Sequence, residues 1–378
     1  MQRRAIRIGF DVAQTCHERA GCGWLADLLV KQMVKLAPYH QFFLYHQFGN
    51  WINQETTKGT HLESENVSEP FCSLSPGEAW KVWQSVDAGV TTLPGTPDIV
   101  HANCFQAPKV GPAKLVYTIY DVSFWVCPQF TTEDNRLVCQ RGVLDAIGRA
   151  AGFIFISQSS RDEFERIFPG LLQENDIKCA TVLLASRFAP AVAARTVMPN
   201  GNWLAVGSLE PRKNYDTILD AFERYFDQST VKRRLTIAGG RGWKSEHLHA
   251  RITDLENKGL VKYEGYVEDS RLHRLYSDSF GLIFPSHYEG FGLPIVEAMS
   301  QACPVITRKN SSLPEAGASA ALYCEDCERE IANAMLQLER DEAYYLATSR
   351  ASWEHAKSLS WSAAADKVLE VYDELVAS

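Results

Sequence analysis

The chain has 378 residues, a length that predicts two domains at roughly 100–200 residues per domain. Hydrophobic residues make up 46% of it and charged residues 22%, with 24 Gly and 16 Pro. This composition excludes disordered, collagen-like and linker-rich classes. The net charge of −8 argues against a protein whose main task is to neutralise nucleic-acid phosphates.

The N-terminal sequence and the cysteines indicate the compartment. The opening MQRRAIRIGFDV lacks the apolar core of a signal peptide, and no segment approaches the roughly 18 apolar residues of a membrane span. Ten cysteines lie without a disulfide framework, and the lone C-x2-C pair Cys324 and Cys327 has no partner pair at zinc spacing. We therefore expect a cytoplasmic protein without a metal site, whose Arg3, Arg4 and Arg7 make at most weak contact with the inner face of a membrane.

Short β-rich segments alternate with longer helical patterns along the whole chain, which is typical of βαβ units and parallel sheets. In the first half we predict strands at 7–12, 42–46, 98–102, 115–120, 153–157 and 181–184, and helices at 23–36, 133–148 and 161–167. Residues 50–97 have the weakest pattern and predict a long loop with one short helix. In the second half we predict strands at 203–207, 235–238, 261–264, 281–285, 305–307 and 321–323, with intervening helices such as 215–226 and 294–302.

A linker is predicted at 186–202, which has no strong periodicity and contains two prolines and a glycine. The pattern therefore predicts an α/β protein with two doubly wound, Rossmann-like domains that face each other across a cleft. We expect these domains at 1–187 and 188–360, with the last helix at 361–378. Ligands of such sheets bind at the carboxyl ends of the strands.

The strongest motif is PSHYEGFGLPIVE at 285–297, in which an apolar strand is followed by a glycine-containing loop and by a helix that Pro294 opens. This order is typical of a strand-to-helix anion site, where free backbone N–H groups point at the ligand. Glu289 lies in the loop and Glu297 is expected in the first helical turn. The alternative is that Glu297 only complements the helix dipole and that Glu289 is a solvated loop residue.

A second motif, VGSLEPRKN at 206–214, also follows a strand and precedes a helix. Arg212 and Lys213 are therefore expected at the carboxyl edge of the same sheet, where they would neutralise a diphosphate leaving group. The chain contains no D-x-D pair, which favours departure of the diphosphate without a divalent ion. A solvated Arg-Lys turn is the alternative.

Other nucleotide-binding signatures are absent from the sequence. There is no G-x4-G-K-[ST], and no G-x-G-x-x-G follows the first strand, which argues against P-loop kinases and dinucleotide oxidoreductases. Gly21 and Gly23, before the first long helix, form a glycine turn that would allow close approach of the backbone to a ligand. An ordinary helix entry is the alternative for this turn.

Five segments are distinctive: GSLEPRKNYDTILDAF, IAGGRGW, GYVEDSRLHRLYSDS, FPSHYEGFGLPIVEAMSQACPVITRKNSSLPEAG and SWSAAADKVLEVYDEL. Together they resemble the family 4 retaining glycosyltransferases of the GT-B fold. The resemblance covers the C-terminal half and is supported in the N-terminal half by GCGW, PDIVHAN, YTIYDVSF and FISQSSRDEF. Within this family the chain most resembles bacterial mannosyltransferases of surface polysaccharides.

The resemblance implies a role for individual positions. Glu289 would lie beside the donor sugar, Glu297 would hold the ribose hydroxyls, and the terminal helix would pack back onto the first domain. The implied donor-binding residues are Gly21, Gly23, Gly207, Arg212, Lys213, Tyr266, Val267, Glu289, Gly290, Phe291, Gly292, Leu293 and Glu297. The implied catalytic residues are Glu289, Arg212, Lys213 and Asp121.

The N-terminal half departs from the family at one position. Where the family often reads T-I-H-D, with a His that contacts the donor sugar, this chain has Tyr120 before Asp121. A phenol, with a pKa of about 10, cannot replace the acid–base chemistry of imidazole at neutral pH. His101 either substitutes for that His or is a packed structural residue, and Phe124 and Trp125 either stack on an acceptor sugar or belong to the core. All five are our candidate acceptor-binding residues.

The expected function is transfer of a hexose to a carbohydrate or glycolipid hydroxyl with retention of configuration. The hexose expected first is mannose, taken from GDP-mannose. We expect no metal, no other cofactor and no nucleic-acid partner. A sugar-nucleotide epimerase of the same fold is one alternative. A catalytically silent glycan or nucleotide-sugar binding protein is another, and a pyridoxal-dependent phosphorylase is less favoured.

Overall fold

The computed structural model describes residues 4–16, 19, 21–325 and 327–377, so that Arg3 lies outside the described residues. Contacts divide the chain into two compact units. The first runs to Leu184 and includes the terminal helix from Trp361, and the second is Ala185–Ser360. The second unit thus begins three residues before the boundary that we expected from the sequence.

The first unit is built on a seven-stranded parallel sheet in the order β3-β2-β1-β4-β5-β6-β7. Its strands are β1 (Arg7–Asp11), β2 (Gln41–Tyr45), β3 (Val67–Ser68), β4 (Ile99–Ala102), β5 (Lys114–Ile119), β6 (Ala150–Phe155) and β7 (Lys178–Thr181). The central strands are buried along nearly their whole length, as the apolar sequence of β4 and β5 requires for strands covered on both faces.

The second unit is built on a six-stranded parallel sheet in the order β10-β9-β8-β11-β12-β13. Its strands are β8 (Trp203–Val206), β9 (Leu235–Ala238), β10 (Val261–Gly265), β11 (Gly281–Phe284), β12 (Val305–Arg308) and β13 (Leu322–Cys324). In both sheets the strand order reverses beside the first strand of the unit, which is the switch point at which doubly wound sheets bind ligands.

Helices connect the strands in both units. They are α1 (Gly21–Leu36), α2 (Pro76–Asp87), α3 (Ser123–Val126), α4 (Glu133–Ile147), α5 (Gln158–Ile167), α6 (Leu171–Glu174), α7 (Tyr215–Gln228), α8 (Glu246–Asn257), α9 (Asp269–Asp278), α10 (Leu293–Ser300), α11 (Leu313–Gly317), α12 (Glu328–Arg340), α13 (Glu342–Ser358) and α14 (Trp361–Ala377). Short 3₁₀ turns lie at Ala13–Cys16, Pro128–Phe130 and Pro211–Lys213.

Side-chain caps explain where several helices begin. Ser75 accepts a hydrogen bond from the backbone N–H of Glu78, whose carboxylate in turn accepts from the N–H of Ser75, and this capping box opens α2. Thr132 and Ser157 cap α4 and α5 in the same way through their hydroxyls.

Each unit has its own hydrophobic core. In the first, the rings of Phe71 and Trp83 stack and the ring of Tyr45 meets both edge-on. In the second, Phe280 meets Trp203 edge-on and stacks on Tyr345. The terminal helix α14 packs against α1 and β7 and so belongs to the core of the first unit.

The predicted α/β class and the two doubly wound sheets are confirmed. The strand predicted at 181–184 is wrong for most of its length, because β7 covers Lys178–Thr181. The weakly patterned region 50–97 contains α2 and also the two-residue edge strand β3, which was not predicted. All ten cysteines are free thiols, and no helix within the described part of the chain is long and apolar enough to cross a bilayer.

Candidate active site

The two motifs of the second unit lie side by side because they follow neighbouring strands. Strands β8 and β11 are parallel partners, with Gly281 opposite Trp203, so their carboxyl ends meet at the same edge of the sheet. Asn214, which has a left-handed backbone (φ 59°), donates a side-chain hydrogen bond to the carbonyl of Pro285 at 3.2 Å. The backbone N–H of His287 donates to the carbonyl of Arg212 at 2.8 Å. These two bonds hold the loops together.

Arg212, Lys213 and Glu289 form one ion-paired cluster, which we call the cationic triad. Arg212 Nη1 donates to Glu289 Oε2 at 2.7 Å, and Lys213 Nζ donates to Glu289 Oε1 at 2.6 Å. Arg212 Nη2 also pairs with Glu210 Oε1 at 2.7 Å. The side chain of Glu289 is only 9% exposed and that of Lys213 only 11%, so the alternatives of a solvated loop Glu and a solvated Arg-Lys turn are wrong.

The loop that carries Glu289 is fixed by two serines. The backbone N–H of Glu289 donates to Ser311 Oγ at 3.1 Å, and the Ser312 hydroxyl donates to the carbonyl of Glu289 at 2.8 Å. The carboxylate is thus held from its own backbone as well as by its two cations.

Burial and charge oppose one another in the triad. Burial disfavours the charged form of Glu289, but the adjacent Arg212 and Lys213 outweigh it and lower the pKa of the carboxyl from 4.5 to about 2. Burial lowers the pKa of the Lys213 ammonium, and Glu289 opposes that effect. Arg212 Nη1 also donates to the carbonyl of Tyr288 at 2.9 Å, so a second anion at this edge would compete with Glu289 for the two cations.

Glu297 was expected in the first turn of the helix, and this is wrong. Helix α10 begins at Leu293, so Glu297 lies in its second turn, beyond the reach of the helix-dipole role that was the alternative. Its side chain is 3% exposed. Tyr276 donates its hydroxyl to Oε2 at 2.9 Å, and Arg187 Nε lies 2.9 Å from Oε1. These partners differ from those of Glu289.

The rest of the predicted donor loop is compact. Gly290, Phe291 and Gly292 are buried, and Gly292 takes a left-handed conformation (φ 102°) directly before α10, where Leu293 is the first helical residue. Gly207, after β8, also has a positive φ (132°), and a side chain there would press on Lys213. The donor-binding roles of these residues stay predictions.

Tyr266 and Val267 follow β10 at the same edge of the sheet, two strands away from β8. Tyr266 is 58% exposed and Val267 is half-buried. This position suits the predicted contact with a nucleotide base, which stays a prediction.

The glycines of the first unit have different surroundings. Gly21 is the first residue of α1, and a side chain there would meet no neighbouring atom. At Gly23 an added Cβ would lie 2.8 Å from the carbonyl oxygen of Gln14. Close packing of the chain therefore requires a glycine at Gly23 but not at Gly21. The predicted contacts of both glycines with a donor stay predictions.

Two of the predicted acceptor-binding residues are buried with their polar atoms paired. His101 hydrogen-bonds through Nδ1 with the Tyr372 hydroxyl and through Nε2 with Thr118, and burial lowers the pKa of its imidazole to about 3. The Tyr120 hydroxyl donates to the carbonyl of Asn103 at 2.6 Å. The acceptor-binding predictions for His101 and Tyr120 are therefore wrong, since neither polar group faces solvent.

The aromatic pair after Tyr120 is also part of the core. Phe124 is 3% exposed and lies in the core cluster of the first unit, so its predicted contact with an acceptor is wrong. Trp125 is half-buried against the same cluster and tilts against Phe124, which favours the core alternative for it as well. Asp121 is half-buried, and its Oδ1 accepts the backbone N–H of Ser123 at 2.8 Å. Its catalytic role stays a prediction.

A group formed by His46, His61 and Glu69 was not predicted; the two histidines lie between β2 and β3, and Glu69 follows β3. One ligand-type atom from each lies within 4.8 Å of the others. His61 Nδ1 is 2.6 Å from Glu69 Oε2, and the two imidazoles stack with centroids 4.7 Å apart and planes 16° apart. Parallel rings direct their lone pairs side by side and not toward one point. The arrangement is that of a His–Glu pair covered by a second ring.

Two doubly wound parallel sheets, one in each unit, are the fold class of the GT-B glycosyltransferases. Residues 201–357, which lie in the second unit, match the family described as Glycosyl transferases group 1.

Several named proteins are similar in sequence to the chain. It is 28% identical over 267 residues to O-antigen chain mannosyltransferase B of Escherichia coli, an alignment that covers 68% of this chain and 70% of that protein. It is 31% identical over 182 residues to the serotype-specific mannosyltransferase WbdA of Escherichia coli, which covers 47% of this chain but only 22% of that longer protein.

Solved structures show the fold. Anabaena Alr3699/HepE in complex with UDP and glucose matches with a TM-score of 0.66 at 19% identity, covering 97% of this chain and 99% of that chain. Sucrose-phosphate synthase from Thermosynechococcus elongatus matches with a TM-score of 0.68 at 17% identity, covering 99% and 100%.

Proposed function

We propose that the chain is a retaining mannosyltransferase that takes mannose from GDP-mannose and adds it to a carbohydrate hydroxyl in the synthesis of a surface polysaccharide. The similarity to proteins named O-antigen and serotype-specific mannosyltransferases supports the choice of sugar and of product. The observation that carries the proposal is the joint contact of Arg212 and Lys213 with Glu289 at the carboxyl edge of the second sheet.

In this proposal Arg212 and Lys213 bind the diphosphate, which displaces Glu289 from at least one of the two cations. At about 4 Å and an effective dielectric constant of about 20, one such charge pair contributes about 4 kcal/mol before desolvation. This attraction grows as the bond between the anomeric carbon and the phosphate oxygen breaks and negative charge collects on the leaving group. The two side chains thereby supply the charge that a divalent ion supplies elsewhere, and we propose that no metal is needed.

The acceptor hydroxyl attacks the anomeric carbon from the face that the diphosphate leaves. The departing phosphate oxygen takes the proton of that hydroxyl, so the new bond forms on the same face and the anomeric configuration is kept. Glu289, ionised beside the sugar, stabilises the positive charge that develops on the ring. We propose that this takes place in the cytoplasm, where the ten free thiols would remain reduced.

The test is transfer by the purified chain in EDTA, with GDP-mannose as donor and a mannose oligosaccharide as acceptor. Proton NMR of the product should show a new α-linked mannose. UDP-glucose and GDP-glucose serve as matched donors that should give less product. An inverted linkage, or transfer that returns only with added metal, would contradict the proposal. Conversion of GDP-mannose to another sugar nucleotide without acceptor would instead favour an epimerase.

A further inference from the structure

The connection from β4 to β5 leaves a groove on one face of the first sheet. Residues 103–113, all of them described, join these strands without a helix, whereas α2 leads into β4 and α4 leads into β6. The three connections run in the same direction across the sheet, so their right-handed crossovers lie on the same face. A groove of about 530 Å³ therefore opens between α2 and α4. Sites for small ligands have volumes of about 300–1,000 Å³, so the groove is large enough to bind one.

The walls of the groove are fixed by close contacts. Gly142 of α4 packs so tightly on the 103–113 segment that an added Cβ would lie 2.2 Å from the carbonyl oxygen of Phe105. The guanidinium of Arg149 donates hydrogen bonds to the carbonyls of Ala107 and Pro108. The groove is thus formed before a ligand arrives, so that binding costs little ordering of the chain.

The lining of the groove carries equal numbers of acidic and basic side chains. The acids among its described residues are Asp87 and Asp145, and the bases are Lys109 and Arg141. A phosphate or a nucleotide favours a lining with net positive charge, and a lipid or an apolar helix favours a continuous apolar surface. The balanced charge therefore favours a neutral ligand that both donates and accepts hydrogen bonds.

Three of the lining side chains are available to such a ligand. Among the described residues, the side chains of Gln84, Arg141 and Asp145 have no hydrogen-bond or ion-pair partner. Arg141 offers donors, Asp145 offers acceptors and Gln84 offers both. The ring of Phe105, half-buried and packed edge-on against Phe124, adds an apolar surface. A sugar ring has hydroxyls around its rim and C–H groups on its faces, so it matches both kinds of surface.

The groove begins near the carboxyl edge of the first sheet. Asn50 and Gln106 line it shortly after the ends of β2 and β4. Asp87 and Asp145 line it near the C-termini of α2 and α4, helices that run antiparallel to the strands. The groove therefore extends along the face of the sheet from the edge at which doubly wound sheets bind ligands. A glycan whose end lies at that edge would place its earlier sugar units in the groove.

We propose that this groove binds a neutral glycan chain, and that it holds the part of the acceptor that lies several sugar units away from the hydroxyl that receives mannose. The choice of a mannose polymer as that chain rests on the proposed function. The assignment of the groove to a neutral glycan rests on its lining.

The first test is calorimetric binding of α-linked mannohexaose, without a sugar nucleotide, to the wild type and to the double variant Gln84→Ala/Arg141→Ala. The wild type should bind it, and the double variant should bind at least about tenfold more weakly, because hydrogen bonds to the sugar hydroxyls are lost. Lys81→Ala/Asp134→Ala, at exposed positions of the same two helices outside the groove, is the matched control and should bind as the wild type. Mannohexaose should also slow amide hydrogen exchange within 103–113 of the wild type.

Transfer assays separate the groove from the site of transfer. With GDP-mannose as donor, the double variant should raise the KM for mannohexaose by about tenfold and leave kcat within about twofold of the wild type. Both constants for mannobiose should stay within about twofold, because a disaccharide is too short to reach from the edge into the groove.

Equal effects on the two acceptors, or undiminished binding of mannohexaose by the double variant, would overturn the inference. A wild type that does not bind mannohexaose would overturn it as well. If the wild type binds mannohexaose through the groove residues but transfers mannose to neither acceptor, the proposed function fails and the assignment of the groove stands.

Discussion

Replacement of Glu289 with Gln removes the charge that neutralises Arg212 and Lys213, and its effect on folding can be worked out from the pKa. The carboxyl has a pKa of about 2 in the folded protein against a usual value of 4.5. At about 1.4 kcal/mol per pKa unit, this shift contributes about 3 kcal/mol to the free energy of unfolding at pH 7. The folded pKa is the lower one, so the contribution is complete above pH 4.5 and is lost as the pH falls through 2.

The assay is urea unfolding of wild type and Glu289→Gln, followed by tryptophan fluorescence at pH 7 and at pH 3.5. The difference in free energy should be about 3 kcal/mol at pH 7 and about 2 kcal/mol at pH 3.5, because protonation has begun to remove the wild-type advantage. Glu354→Gln, at an exposed position of α13, should show no difference at either pH.

The same substitution should strengthen binding of inorganic pyrophosphate. Glu289 and a diphosphate compete for the same two cations. The neutral amide of Glu289→Gln should therefore raise the affinity for pyrophosphate by at least about tenfold at low salt. Turnover should nevertheless fall, since the charge beside the sugar is lost. A variant as stable as the wild type at pH 7, with pyrophosphate affinity unchanged or weaker, would refute this reading of the triad.

Four other substitutions test separate parts of the account. Lys213→Ala should lower turnover by at least about 10²-fold in a coupled assay. Its circular dichroism spectrum should stay native. A smaller loss of turnover would contradict a catalytic role for Lys213. Gly23→Ala should lower the melting temperature, because the added Cβ would press on the backbone carbonyl of Gln14. Gly21→Ala should leave the melting temperature unchanged or raise it, because no atom lies near that position and Ala favours a helix. Equal effects of the two substitutions would contradict the packing argument. Tyr372→Phe should lower the free energy of unfolding in urea by about 1–2 kcal/mol, because the buried imidazole of His101 loses a hydrogen bond. A large loss of turnover in this variant would instead indicate a functional role for His101.

The cationic triad could be predicted from sequence because each of its members follows a strand of the same parallel sheet. Strand ends in such a sheet meet at one edge, so Arg212, Lys213 and Glu289 are brought together by topology alone. The helix start at Leu293 was harder to predict, because Gly292 and Pro294 are both typical of a helix entry. A shift of one residue moved Glu297 out of the first turn.

The acceptor-binding residues could not be predicted in the same way. All four residues of β4 are buried, so no alternation along that strand indicates which way His101 faces. The phenol of Tyr120 reaches the carbonyl of Asn103, a partner on a different strand end. Arg187 was missed because it lies in a segment without periodicity, and only the fold brings it to Glu297.

The most direct test of the account is a crystal structure of the chain with GDP, grown in EDTA. The account predicts that oxygens of the diphosphate lie within hydrogen-bond distance of Lys213 Nζ and the Arg212 guanidinium, with Glu289 released from at least one of them. A diphosphate bound away from both side chains, with the contacts of Glu289 intact, would contradict it.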